Sequence, residues 1–356
     1  MIDIQAELSN NKHTDKKAIK CVVWDLDNTI WDGVLLENDR VSLRNRVVEI
    51  IKTLDGRGIL QSIASKNDYA RAIAQLQEFG LHEYFLYPQI NWNSKSSSLK
   101  EIAKSLNLGI NTFAFIDDQL FELEEVSFSL TEILCINTSE LAHFLELPEM
   151  NPRFITEDSR LRRLMYMSDI ERNNLEKKFV GTQEEFLATL NMIFTISSAQ
   201  EEDLQRAEEL TVRTNQLNTT GYTYSYDDLN HFRKSDKHKL LVASLDDKYG
   251  SYGKIGLALV EFQEVVWTIK LMLMSCRVMS RGVGTIMLNY MMTLAKNNNV
   301  RLRSEFVSNN HNRMMYVFYK FAGFKEIEKN GDLQILENEL TQIQLFPEYV
   351  KVKIIE

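Results

Sequence analysis

The chain has 356 residues, too many for one ordinary core and suited to two domains. Hydrophobic residues make up 44% and charged residues 26%, the balance of a folded globular protein. A net charge of −9, with acids spread along the chain, argues against sequence-independent nucleic-acid binding. No apolar run reaches membrane-spanning length, the candidate "VVWTIKLMLMSC" being interrupted by Lys270.

Residues 1–17 read as a polar tail, without the apolar stretch and small-residue cleavage site of a secretory leader. From residue 18 to 148 strand-like runs alternate with helix-length segments. "CVVWD" is a strand, "LRNRVVEIIKTLDGRG" a helix ending at glycines, and "LQSIASKN" a strand. The helix "DYARAIAQLQEFG", a short strand "YFLYP", the helix "SSSLKEIAKSLNLG" and the strand "TFAFIDD" follow. This rhythm predicts a parallel sheet with helices on both faces and ligands at the carboxyl ends of its strands. Residues 149–190, opened by Pro148 and Pro152, turn charged and helical and read as a connector.

From 191 to 356 the order changes. The strand "MIFTISSA", the helix "QEEDLQRAEELTVRT" and a polar stretch precede three hairpin-linked strands, "KLLVASLDD", "KIGLALVEF" and "VVWTIKLMLMS". The helix "GVGTIMLNYMMTLAKNNN", the strand "RLRSEFV", the helix "NRMMYVFYKFAGF" and a last strand at "YVKVKII" complete it. Hairpins followed by strand–helix alternation predict a mixed sheet, hence an α+β domain. The methionines of "TIMLNYMM" fit core packing. Three cysteines, Cys21, Cys135 and Cys276, are far apart and show no metal-ligand spacing, which predicts a reducing, cytoplasmic setting. Cys21 and Cys135 lie in apolar, strand-like surroundings and read as core.

Chemistry concentrates where the strands of the first domain end. Asp25 and Asp27 in "DLDNT" are paired carboxylates, costly unless a cation or reacting group lies between them. Asp25 is a candidate nucleophile on phosphorus, and Asp27 a candidate acid that protonates the leaving oxygen and then activates water. Two acids and a phosphate need a counter-charge, so Mg²⁺ is expected, held by Asp25, a main-chain carbonyl near Asp27, and Asp117. Lys95 adds positive charge. Thr29 and Ser65 are candidate donors to phosphate oxygens, and Lys66 and Asn67 continue the same "SIASKN" stretch as phosphate-binding candidates.

DxDxT at Asp25, Asp27 and Thr29, then Ser65, Lys95 and the "FIDD" pair, resemble the four ordered motifs of the haloacid dehalogenase (HAD) superfamily of Mg²⁺-dependent phosphatases and phosphotransferases. The resemblance implies a Rossmannoid parallel sheet. The short spacings between motifs leave no room for a large cap domain, so an uncapped site is expected.

In the second domain, "YGSYGKIGLALVEF", "MLMSCRVMSRGVGTIMLNYMMTLA" and "NNHNRMMYVFYKFAGF" resemble the acetyltransferase-like GNAT fold. There a glycine-bearing loop opens a helix whose N–H groups cradle a CoA pyrophosphate. Gly282 and Gly284 match the end of that loop, but Met279 stands where Arg or Gln is expected, which favours a pantetheine arm on another carrier over ordinary acetyl-CoA. Cys276 is a candidate thiolate beside the loop, with Arg277 or Arg281 able to favour its charged form; the alternative is a small buried hydrophobe. His311 in "NNHN" is a candidate substrate-site base, the alternative being a helix-capping role. "RTNQLNTTGYTY" has polar residues suited to substrate or to a solvated loop.

A HAD-like domain followed by a GNAT-like one, with "WDLDNTIWDGVL", "SIASKN", "LNLGINTFAFIDD", "TNQLNTT" and "SCRVMSRGVG" in order, is similar to the FkbH-like proteins of polyketide pathways. That resemblance implies a glyceryl transferase and phosphatase acting on 1,3-bisphosphoglycerate. It would load glyceryl onto the phosphopantetheine thiol of an acyl carrier protein, with Cys276 as the matching position for an acyl relay. The alternatives are a small-molecule phosphatase whose second domain is non-catalytic, or one whose second domain is a CoA-dependent acyltransferase.

Overall fold

The computed structural model describes residues 18–37 and 40–355, so the expected tail at 1–17 lies outside the described residues. The chain divides between Met167 and Ser168 into two compact units, a division that falls inside the helix Arg162–Lys178. The first unit is α/β and the second α+β.

In the first unit, strands β1 (Cys21–Trp24), β2 (Leu60–Ser65), β3 (Gln89–Ile90), β4 (Phe113–Asp117) and β5 (Leu134–Asn137) form one sheet in the order β3-β2-β1-β4-β5, every pairing parallel. β1 is central, with Cys21 paired to Leu60 on one side and Phe113 on the other, and all four of its residues are buried. This explains its unbroken apolar run, since a strand covered on both faces has no solvent side to mark with polar residues. Burial pushes the Cys21 thiol well above its usual range, as a core cysteine requires.

The connecting helices are α1 (Val47–Gly56), α2 (Tyr69–Glu78), α3 (Lys95–Leu106) and α4 (Leu120–Ser129). Asp68 caps α2 by accepting from the Arg71 N–H, and Ser94 caps α3 by accepting from the Ser97 N–H. Between β1 and β2 the described residues hold only a two-residue hairpin, Trp31–Asp32 with Ser42–Leu43, and α1, so the carboxyl edge is uncapped there. The expected strand in "YFLYP" is displaced. His82–Tyr84 forms a 3-10 turn, Tyr87 takes a left-handed φ of 49° just before Pro88, and the strand begins only at Gln89. The aromatic run serves instead as a plug, Phe85 and Leu86 being buried against the sheet.

The second unit is built on β6 (Met192–Ser198), β7 (His238–Asp247), β8 (Gly250–Phe262), β9 (Val266–Met274), β10 (Arg301–Val307), β11 (Lys325–Asn330), β12 (Leu333–Asn338) and β13 (Val350–Ile355). Their order is β11-β12-β10-β9-β8-β7-β6-β13, antiparallel except for β9–β10 and β6–β13. The helix Val283–Asn297 buries Ile286, Met287 and Met291 in the core, the role expected of its methionines. The polar stretch after "LTVRT" contains a further helix, Tyr226–Lys234, started by a reciprocal Ser225–Asp228 capping box. Arg172 is fully buried, donating to both oxygens of Asp247 at 2.7 and 2.8 Å and to Asp169 at 2.8 Å, with its guanidinium 3.9 Å from the Tyr252 ring centre. Removing either side of such a buried pair strands a charge, so this group locks the unit rather than binding a ligand.

Candidate functional site

The carboxyl ends of β1, β2 and β4 bring Asp25, Ser65 and Asp117 to one place, and the first turn of α3 adds Lys95. One carboxylate oxygen from each of Asp25, Asp117 and Asp118 lies within 4.8 Å of the others. Asp25 and Asp117 are buried, Asp117 being 1% exposed. Lys95 Nζ donates to Asp25 Oδ1, to the Ala64 carbonyl at 2.9 Å, and lies 3.0 Å from Asp117 Oδ2. A cation at a helix N-terminus opposes the helix dipole, so Lys95 is held there by the carboxylates rather than by its own helix.

With all three carboxylates ionised, one ammonium would leave the cluster with a net charge of about −2, which adds to burial in making the acids resist ionisation. Burial pushes Asp25 up to about 7; Lys95 and the Ser65 hydroxyl pull it back, while the charge of Asp117 adds to the rise. Asp118 is raised as well, by burial first and by Asp117 second. Burial acts to lower Lys95, but the two carboxylates outweigh it and hold the ammonium above its usual value. Among the described residues Asp118 Oδ1 is buried with no hydrogen-bond partner. An orphaned carboxylate oxygen among convergent acids is the donor set of a hard divalent cation, so these residues fit Mg²⁺. Asp118 enters as the third acid of this cluster, adjacent to the expected ligand Asp117.

Asp27 stands apart from that cluster. Its Oδ1 accepts from the Trp31 indole N–H at 2.7 Å and the Leu35 N–H at 3.0 Å, and its Oδ2 accepts from the Asn67 amide at 2.9 Å. Asn28, at a left-handed φ of 52°, turns the chain so that Trp31 folds back over Asp27. Asn67, expected against phosphate, is therefore engaged with Asp27. Lys66 likewise pairs with the nearly buried Glu122 at 2.7 Å. Among the described residues the Thr29 hydroxyl is buried and lacks a hydrogen-bond partner.

In the second unit, β9 and β10 pair only from Val266–Arg301 to Ile269–Ser304. Beyond this point the "QLNTT" stretch wedges between them. Thr219 N–H donates to the Met272 carbonyl, Met274 N–H to the Leu217 carbonyl, and Val307 N–H to the Thr219 carbonyl, at 3.1, 2.9 and 3.0 Å. Asn312 Nδ2 ties the wedge down through the Asn218 and Val307 carbonyls at 3.1 and 2.8 Å. Asn218, Thr219 and Thr220 are buried, so these polar residues form neither a solvated loop nor an open substrate surface.

Beside the wedge lies a cavity of ≈ 150 Å³ lined by Leu217, Met272, Met274, Met315, Gly282 and Gly284 among others. Gly282 starts the helix Val283–Asn297 with a φ of 73°, and an added Cβ would meet the Tyr349 hydroxyl at 2.5 Å. Cys276 is half-buried and opens a 3-10 turn, Cys276–Arg281, between the lining residues Met274 and Val278 without lining the cavity itself. Arg277 donates to the Tyr252 carbonyl at 2.8 Å. Arg281 is buried and paired with Glu176 at 3.1 Å. His311 is exposed, and the helix-capping position next to it belongs to Asn312.

No protein-family model matches the chain, and no curated protein matches it in sequence. Among solved structures it is similar to the N-terminal part of a Bacteroides fragilis protein containing a phosphatase domain, complexed with Mg. The identity is 24%, over 38% of this chain and 41% of that one, with a TM-score of 0.34. It is also similar to the ribosomal-protein-S18-alanine N-acetyltransferase of Escherichia coli, at 16% identity over 44% of this chain and 97% of that one, TM-score 0.34. A third is an N-acetyltransferase of Thermoplasma acidophilum in complex with coenzyme A, at 15% identity over 41% and 98%, TM-score 0.33. This chain thus spans well under half of the B. fragilis structure and nearly all of the two acetyltransferases. Among the described residues no helix is long and apolar enough to cross a membrane.

Proposed function

We propose that the chain is an Mg²⁺-dependent glyceryl transferase and phosphatase that takes 1,3-bisphosphoglycerate, removes phosphate, and loads glyceryl onto the phosphopantetheine thiol of an acyl carrier protein in polyketide biosynthesis. The observation that carries the phosphatase half is the convergence of Asp25, Asp117 and Asp118 around an orphaned carboxylate oxygen, with Lys95 bonded to Asp25. Asp25 forms the bond to phosphorus as the ester oxygen leaves, and Asp27 gives that oxygen its proton. Asp27 then takes a proton from the water that attacks the aspartyl phosphate, and the bond from phosphorus to Asp25 breaks. Bound Mg²⁺ supplies charge neutralisation for the phosphoryl oxygens among Asp25, Asp117 and Asp118. Lys95 holds Asp25 in place, and the free Thr29 hydroxyl is available to a phosphate oxygen.

The substrate's other phosphate is a mixed anhydride, open to a thiol: sulfur bonds to the acyl carbon, phosphate leaves, and the thiol loses its proton. The methionine-lined cavity beside Gly282 and Gly284 suits an uncharged pantetheine arm, and Cys276, two residues beyond Met274, is the candidate relay. The test is the intact mass of a phosphopantetheinylated carrier protein after incubation with the chain, Mg²⁺ and 1,3-bisphosphoglycerate generated in place. A gain of glyceryl without phosphate is expected, lost with Asp25→Asn and reduced with Cys276→Ala. No gain with either phosphate retained or released overturns carrier loading, and release alone leaves a phosphatase.

A further inference from the structure

We infer that Trp31 and Asn67 are positioning residues that clamp the Asp27 carboxylate so that Oδ2 is the oxygen left open to exchange a proton with the leaving group, an assignment that rests on the phosphatase reading above. Each carboxylate oxygen offers two lone pairs. Oδ1 uses both, on the Trp31 indole N–H at 2.7 Å and the Leu35 N–H at 3.0 Å. Among the described residues Oδ2 receives the Asn67 amide alone, at 2.9 Å, so one lone pair remains there and none on Oδ1. A proton passed to a leaving alkoxide, or taken from water, therefore moves through Oδ2.

The clamp is itself supported. Trp31 is fully buried, packs its ring near Phe79, and pairs with Leu43 in the hairpin after β1. Leu35 is fixed from both sides, its N–H on Asp27 and its carbonyl accepting from Arg71 at 3.0 Å. Asn67 is 2% exposed, and its own oxygen accepts from the Asp68 N–H at 2.9 Å, which orients the amide with its nitrogen toward Asp27. The carboxylate can neither rotate nor exchange its two oxygens without breaking three part-buried hydrogen bonds. General acids work only within hydrogen-bond reach of the atom they protonate, so this fixed orientation bears directly on bond cleavage.

The experiment measures kcat/KM, which covers steps only up to departure of the leaving group, for p-nitrophenyl phosphate and for 3-phosphoglycerate. The first leaving group departs without a proton and the second needs one. Trp31→Phe removes the N–H and keeps an aromatic ring; Asn67→Leu removes the donor on the other oxygen. Each is expected to lower kcat/KM for 3-phosphoglycerate by roughly tenfold to a hundredfold more than for p-nitrophenyl phosphate, and to add little to the same discrimination in an Asp27→Asn background. Equal falls on both substrates would reduce Trp31 and Asn67 to packing and overturn the inference while leaving the phosphatase intact. Absence of Mg²⁺-dependent phosphate release from either substrate by the unaltered chain removes the phosphatase reading and the inference together. If Trp31→Phe does not fold, Asn67→Leu reads the same clamp from Oδ2.

Discussion

Raising the pH should tighten Mg²⁺ binding at the Asp25 cluster and, in the metal-free protein, lower stability. Asp25 sits at about 7 instead of the usual 3.8 because burial outweighs the help of Lys95. At pH 6 about one-tenth of it is ionised and at pH 8 about nine-tenths, so Mg²⁺ affinity should rise roughly tenfold over that interval. Binding should release nearly one proton at pH 6 and almost none at pH 8. Titration calorimetry in two buffers of different ionisation enthalpy measures both quantities. For the metal-free protein the sign is opposite. The folded state binds more protons than the unfolded one between pH 3.8 and about 7, so the Asp25 contribution is fully present below that window. It is lost as pH rises through it, by up to about 4 kcal/mol. Urea unfolding in chelator at pH 5 and pH 8 reads this directly. A pH-independent Mg²⁺ affinity without proton release would refute the electrostatic account of the cluster.

Asp118→Asn should weaken Mg²⁺ binding by about tenfold or more while raising the melting temperature of the metal-free protein, because it removes a ligand oxygen and a repulsive charge at once; loss of both affinity and metal-free stability would assign Asp118 to structure instead. Gly282→Ala should destabilise the second unit by ~1–3 kcal/mol in denaturant, from its φ of 73° and the approach to the Tyr349 hydroxyl, and Tyr349→Phe in the same chain should restore part of this. Asn312→Ala should cost ~1–3 kcal/mol by leaving the Asn218 and Val307 carbonyls unsatisfied, and hydrogen exchange should then quicken at Thr219 and Val307. An unchanged exchange rate would show that the wedge is held by its strand bonds alone.

The strand-end acids were legible because a buried parallel strand leaves one signal, an apolar run, and stops where the chemistry begins. Asp25, Ser65, Lys95 and Asp117 all lie at such stops or just after them, and the fold brings these four together. What happens within the loops was not legible. The left-handed turn at Asn28 decides that Trp31 returns to Asp27, and nothing in residue spacing says that an indole four positions on donates to a carboxylate. Asn67 looked like a phosphate donor because the strand end places it near the site; its amide faces Asp27 only because the Asp68 N–H takes its oxygen. In the second unit, the polar "QLNTT" read as a substrate-binding stretch or a solvated loop. Its side-chain and main-chain groups are instead satisfied internally, by the edges of β9 and β10 and by Asn312, and burial of a satisfied polar segment leaves no trace in composition.

In the proposed phosphatase reaction the two carboxylate roles would follow from where each acid's hydrogen-bond donors come from. Asp25 has an ammonium and two neighbouring acids, a surrounding whose balance changes with the gain of a cation or a proton, so it is held where Mg²⁺ and a proton compete. Asp27 has three fixed N–H donors from Trp31, Leu35 and Asn67 and no carboxylate beside it among those partners, so its geometry is set by the protein whatever occupies the neighbouring cluster. A nucleophile needs its charge released when the metal arrives, whereas an acid–base group needs an unchanging direction through two successive proton transfers. Asp25 and Asp27 are two residues apart, but the turn between them gives each the environment that its proposed step would require.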